Sequence, residues 1–157
     1  MIMKIKRRAS SLCLAVVLIF TVLVTSAYAV MAFGDEYTWS VGTFLIDKMV
    51  LTNKAGADSF STANGWAIAS YGEIDAYRNQ PVNTLGVQVN LLKASNNTIY
   101  QSTVWYYNST SVAAIGYKPN YLNCPSGGYF AQAQTKYYYD GSYSTMWSYG
   151  SPTVTAP

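Results

Sequence analysis

Residues 129–149 read YFAQAQTKYYYDGSYSTMWSY. Side chains alternate in character on both sides of Asp140-Gly141, and a period of two flanking a turn dipeptide marks a β-hairpin. Asp-Gly invites a two-residue turn. That register sets Trp147 beside Gln134 and Tyr143 beside Tyr138, which mixes the faces. A three-residue loop, Tyr139-Asp140-Gly141, with Gly141 left-handed, sets Tyr137 against Tyr143, Thr135 against Thr145, Ala133 against Trp147 and Ala131 against Tyr149. Small residues then oppose large ones on a single face, as a void-free core requires. Gln132, Gln134, Lys136, Ser142, Ser144 and Ser148 fall on the other face, a solvent composition. The three-residue loop is therefore the expected register, and Tyr138 points outward.

A second hairpin lies upstream. Leu85, Val87, Val89 and Leu91 alternate with Gly86, Gln88, Asn90 and Leu92, so the odd positions face a core. A four-residue turn, Ala94-Ser95-Asn96-Asn97, pairs Lys93 with Thr98. Leu91 then meets Tyr100, Val89 meets Ser102, Val87 meets Val104 and Leu85 meets Tyr106. A slip of one residue would turn Gln101 and Thr103 inward. Trp105 and Tyr107 consequently point outward, across from Gly86 and Thr84.

The rest of the chain after residue 30 reads the same way. Strands are expected near 37–46, 48–52, 66–71, 74–78, 85–93, 98–107, 111–116, 129–139 and 142–149. No dozen-residue stretch carries a helical period, and no internal repeat is visible. Eight or nine short strands separated by Asn, Gly, Ser and Pro clusters predict an all-β fold. The expectation is an antiparallel two-sheet β-sandwich of immunoglobulin-like or jelly-roll type, a resemblance of architecture that carries no function. The Pro- and Gly-rich stretch 117–128 reads as a crossover between sheets.

The chain of 157 residues has a formal charge of +3, but the charge is unevenly placed. Lys4, Lys6, Arg7 and Arg8 precede an uncharged span, 9–34, with an apolar heart at 12–24. Ala27-Tyr28-Ala29 then supplies small residues at the two recognition positions of a secretory leader. The expected division is a leader, 1–29, and a single domain, 30–157. An uncleaved anchor is the competing reading, because about 20 apolar residues cross a bilayer. Beyond the cut, six basic residues (Lys48, Lys54, Arg78, Lys93, Lys118, Lys136) face seven acids, with no basic cluster. Nucleic acid is therefore not an expected partner, and a membrane is met only through the leader. The expected location is outside a bacterial cell or on its surface.

The chain contains no histidine, which removes Ser-His-Asp and Cys-His nucleophile systems and imidazole metal sites. No phosphate-binding glycine motif or calcium-loop pattern is present, so no cofactor or metal is expected. Glu73 and Asp75, two apart on a strand, share a face at roughly 7 Å, a spacing that would suit an inverting glycosidase. A solvated strand edge with Arg78 nearby is the plainer account. With Cys13 in the leader, Cys124 has no intramolecular partner. It is either a small buried hydrophobe or the site of an intermolecular disulfide. Asn96-Asn97-Thr98 and Asn108-Ser109-Thr110 match the N-glycosylation pattern but read as ordinary turn residues.

Aromatic content is the distinctive feature. Of 15 Tyr, 4 Trp and 5 Phe, only Phe20 and Tyr28 precede the cut. Most belong to cores and sheet surfaces. Trp105, Tyr107 and Tyr138 are the outward set, a candidate platform for a sugar ring or partner protein, with aromatic cover over Gly86 as the structural alternative. The sequence thus points to a non-enzymatic secreted protein acting by surface contact with an extracellular glycan or protein, or in an extracellular structural role. Self-association is a further candidate contact. The alternatives are a membrane-active toxin or bacteriocin, and a carbohydrate-active enzyme working without histidine.

Overall fold

A computed structural model describes residues 31–42 and 48–157, and the strand-forming composition holds throughout them. The expected leader and the expected cut after residue 29 lie outside the described residues, as do positions 43–46 of the first expected strand. Four strands come first: β1 (Ala32–Phe33), β2 (Tyr37–Val41), β3 (Met49–Thr62) and β4 (Gly65–Gln80). The chain then forms β5 (Leu85–Lys93), β6 (Ile99–Ser102) and β7 (Tyr106–Tyr107), followed by β8 (Val112–Tyr117) and β9 (Asn120–Tyr121). It ends in β10 (Gly127–Tyr139), β11 (Ser142–Trp147) and β12 (Val154–Ala156).

These strands build two antiparallel six-stranded sheets, so the protein is an all-β sandwich. The first sheet runs β1-β3-β4-β8, with β2 also on β3 and β9 on β4. The second runs β11-β10-β5-β6, with β12 on β10 and β7 on β5. The chain changes sheet after β4, β7 and β9. Among the longer strands, the orders β3-β4-β8 and β11-β10-β5-β6 are those of an immunoglobulin-type sandwich whose fourth strand sits on the second sheet. Tyr129 fits that type as well. Near the start of β10, its hydroxyl donates to the Pro125 carbonyl oxygen at 2.9 Å, four residues upstream.

Among the described residues twelve strands form where eight or nine were expected. The extra ones are short, and the residues 53–62, which include Asn53, Gly56 and Asp58 and no Val or Ile, are the unbroken continuation of β3. Pairing with β4 from Thr52 opposite Asp75 to Thr62 opposite Gly65 overrides their weak strand propensity. Asn53, Ala55 and Ala57 face inward from this segment and are buried.

The core is close-packed because small residues meet at its centre. Leu51, Ile68, Ile74, Leu85, Val87, Val89 and Leu91 are fully buried, with Ala55, Ala57, Ala131 and Ala133 between them. Gly72 marks a close approach of the sheets. A Cβ there would stand 2.8 Å from the Ala133 Cβ and 2.9 Å from Val89 Cγ2. Polar ties cross the same space. Asn53 Nδ2 donates to Thr135 Oγ1 at 2.8 Å, the Tyr121 hydroxyl to the Val89 carbonyl at 2.7 Å, and the Tyr137 hydroxyl to Gln80 Oε1 at 2.9 Å.

Both expected hairpin registers need correction. In the last hairpin Asp140 (φ 47°) and Gly141 (φ 81°) are both left-handed, so the turn has two residues and Tyr139 pairs with Ser142. Tyr138 faces Tyr143, Lys136 faces Thr145 and Gln134 faces Trp147. Ala133 is buried while Trp147 is exposed, on opposite faces. The turn's local preference, whose twist matches that of the strands, outweighs segregation of the faces, because β11 is an edge strand with no deep core beneath it. At its end, β11 leaves β10 without stranding backbone donors: Ser148 Oγ accepts from Ala133 N at 3.0 Å and Ser151 Oγ from Ala131 N at 2.9 Å.

In the upstream hairpin the four-residue turn stands, with Lys93 N donating to Thr98 O at 2.9 Å. A bulge then inserts Tyr100, so Leu92 pairs with Ile99 but Leu91 with Gln101. The Tyr100 ring turns aside onto Tyr129. A further slip follows: Val87 pairs with Tyr106 and Gly86 with Tyr107. Val104, expected opposite Val87 in the core, is 81% exposed.

Candidate functional site

The two-residue turn has a consequence for the outer face of the second sheet. It turns Tyr143 and Trp147 outward, beside Tyr138 and Gln134 on β10. Lys136 sits opposite Gly86, and Tyr107 lies on the far side of that glycine. The three outward aromatics expected from sequence are thereby gathered with a fourth. Ring centroids lie 6.3 Å apart for Trp105 and Tyr107, 5.7 Å for Tyr107 and Tyr143, and 5.0 Å for Tyr143 and Tyr138. Lys136 Nζ stands 3.9 Å from the Trp105 centroid and 5.7 Å from that of Tyr143. The ammonium is thus held over aromatic faces by attraction to their quadrupoles.

Roles within this group differ. Tyr107 covers Gly86 closely: a Cβ at Gly86 would come within 2.8 Å of its ring. That is the structural use the sequence allowed, and it makes Tyr107 a support. Tyr138 and Tyr143 are 44% and 40% exposed, whereas Trp105 is half-buried. The Tyr143 hydroxyl donates to the Asn83 carbonyl at 2.6 Å, which fixes the ring. Burial, followed by the Tyr107 and Tyr138 phenols, raises the Tyr143 pKa above the ordinary tyrosine value. Gln88, Gln132 and Gln134 continue the face, although Gln88 and Gln132 each spend an amide donor on a backbone carbonyl. Sequence reasoning missed Tyr143 and Trp147, and it placed Lys136 on the outer face only as a solvent residue. The Asp-Gly dipeptide was the signal that would have found the two aromatics.

The carboxylates lie on the other sheet. Glu73 is tied to Lys54 at 3.2 Å and accepts a short hydrogen bond from the Tyr71 hydroxyl; Lys54 also reaches Glu36 at 3.4 Å. Burial lowers the Lys54 pKa, but bonding and attraction from Glu73 and Glu36 outweigh it and leave the pKa raised. Burial and the Glu73 carboxylate both push the Tyr71 pKa upward. Asp75 accepts from the Tyr77 backbone N–H at 2.6 Å, where Tyr77 is left-handed (φ 57°). Each acid is thus engaged locally, Glu73 in an ion pair and Asp75 in a backbone kink. Among the described residues no group of three His, Cys, Asp or Glu side chains could hold a metal ion.

A cavity of about 260 Å³ opens between β7 and β8, lined by Tyr106, Asn108, Thr110, Val112 and Ile115 among others. Its lining has hydroxyls and amides but no carboxylate, lysine or cysteine. Asn108 is itself buried. It accepts from Leu85 N at 2.9 Å and donates to Pro81 O at 2.6 Å and Thr110 O at 2.9 Å, so it pins the loop and is not a reachable acceptor. Cys124 is buried too, with its thiol against the Tyr121 carbonyl at 3.3 Å, and burial raises its pKa. These observations favour packing over an intermolecular bridge.

Fold and site together define an antiparallel two-sheet β-sandwich with an aromatic outer face on its second sheet. No protein family, curated protein or solved structure matches the chain.

Proposed function

We propose that this is an exported binding protein, non-enzymatic, that contacts an extracellular glycan through the outer face of its second sheet. The observation that carries the reading is the continuous series of ring contacts Trp105–Tyr107–Tyr143–Tyr138 around Lys136. Exposed aromatic rings set on a sheet give apolar area at low entropy cost, with hydroxyls that stay wet. Neighbouring glutamines and a lysine supply hydrogen-bond donors to sugar hydroxyls. Export is supported by the leader pattern of residues 1–29.

Retention on insoluble polysaccharides (cellulose, chitin, xylan and peptidoglycan) tests the proposal. The protein should be held by at least one of them and released when Tyr138 and Tyr143 are both changed to Ala. A protein retained by none, or a double variant retained as well as the parent, would defeat it.

A further inference from the structure

Among the described residues β11 pairs only with β10, so among them its other edge carries backbone groups without a ladder partner. The turn fixes which residues own them. In a two-residue hairpin the pair flanking the turn is hydrogen-bonded and the pairs then alternate. Tyr139–Ser142, Tyr137–Ser144 and Thr135–Met146 are therefore bonded pairs, whereas Tyr143, Thr145 and Trp147 aim their N–H and C=O groups away from β10. The strand reads SYSTMW, with no charge and no proline. Exposed edges are ordinarily protected by such residues or by a covering element.

We propose that this edge is an interface between two copies of the chain, with β11 pairing antiparallel to the β11 of its partner across a two-fold axis at Thr145. The register follows from the free groups. An axis at Thr145 sets Tyr143 opposite the partner's Trp147, Thr145 opposite itself and Trp147 opposite the partner's Tyr143, so all three outward-aimed residues are bonded. An axis at Ser144 sets Trp147 opposite the turn residue Gly141, and an axis at Met146 carries Tyr143 past the end of the strand to Tyr149. The Thr145 register also repeats one aromatic cross-strand pair, Trp147 with Tyr143, on the outer face of both halves, a favourable pairing for a sheet. This self-complementarity identifies a second copy, rather than an unrelated strand, as the partner. The interface is isologous and closes on itself. It joins the two second sheets and sets the two aromatic faces side by side, which would multiply retention on a repetitive surface without any new contact.

Sedimentation velocity on the purified protein across a concentration series tests the interface. The parent should pass from monomer to dimer. Thr145→Lys should stay monomeric at every concentration with an unchanged circular-dichroism melt, because it places two ammonium groups opposite each other on an exposed face. Cysteine variants test the register. Directly opposed bonded residues have Cα atoms about 5.5 Å apart, within disulfide reach. Thr145→Cys should oxidise to a covalent dimer, and Ser144→Cys, which in this register opposes the partner's Met146 and not its own counterpart, should not. A parent that remains monomeric to its solubility limit, Thr145→Lys dimerising like the parent, or equal oxidation of both cysteine variants would overturn the proposal.

Discussion

Changing Gly72 to Ala places a methyl group where the two sheets touch. The new Cβ would meet the Ala133 Cβ at 2.8 Å, Val89 Cγ2 at 2.9 Å and Val87 Cγ2 at 3.2 Å. The first two distances are shorter than carbon atoms tolerate, and all three neighbours are fully buried side chains on central strands of the opposite sheet. Neither sheet can rotate such groups away, so the layers must separate or a rotamer must strain. Inserting a methyl into a packed core costs about 1–3 kcal/mol. For a body of this size, that corresponds to a fall in Tm of about 3–15 °C. Ala133→Gly alone also destabilises, since it removes a buried methyl and loosens β10. Combined, the two changes should compensate: Gly72→Ala with Ala133→Gly should be more stable than the sum of the singles predicts, by at least about 0.5 kcal/mol. Urea unfolding followed by tryptophan fluorescence measures all four proteins. A Gly72→Ala variant as stable as the parent, or a strictly additive double variant, would refute the face-to-face packing of β4 on β10.

Three further outcomes follow from the same structure. Tyr137→Phe leaves Gln80 Oε1, a buried acceptor, without its donor, and should cost about 1–3 kcal/mol in the same urea assay; a neutral result would contradict the cross-sheet bond. Burial holds the phenol pKa values of Tyr71, Tyr121, Tyr129, Tyr137 and Tyr143 above the ordinary tyrosine value of about 10. Above that pH the unfolded chain loses protons that the native state keeps, so the stability these phenols contribute is complete below pH 10 and falls as pH rises past it. Absorbance at 295 nm should show part of the tyrosine titrating only as the fold is lost, and a single ordinary titration would be the contrary result. The buried thiol of Cys124 should resist a soluble aromatic disulfide in the native protein and react on unfolding, whereas a fast native reaction would restore the intermolecular-bridge reading.

The fold class was legible because it rests on period-two alternation and turn chemistry, which are local. Strand β5 was read to its exact ends, since Leu85, Val87, Val89 and Leu91 alternate cleanly and face one core. The continuation of β3 through 53–62 was not legible, because its strand character comes from pairing with β4 and from small inward residues, not from propensity. Registers failed where a face-segregation argument was set against turn geometry. In the last hairpin Asp140-Gly141 adopts the backbone it prefers, and the aromatics it displaces go outward because an edge strand tolerates them there. In the upstream hairpin a bulge at Tyr100 and a departure at Val104 shift the pairing twice, and neither leaves a local signal. Trp105, Tyr107 and Tyr138 were legible as outward residues, even though the reason given for two of them was a register displaced by two positions. Tyr143 and Trp147 were hidden by the register error itself, whereas Lys136 was placed on the right face but read only as solvent cover.

The central functional claim is that binding belongs to one outer face and not to exposed aromatic area in general. Tyr77 on the first sheet is more exposed than Tyr143, at 63% against 40%, so the two form a matched comparison. Affinity for the retained polysaccharide, measured by isothermal titration against soluble oligosaccharides of the same sugar, should fall about tenfold or more in Tyr143→Ala, a loss of about 1.4 kcal/mol, and stay unchanged in Tyr77→Ala. Equal losses in both variants, or a loss confined to Tyr77→Ala, would contradict the account.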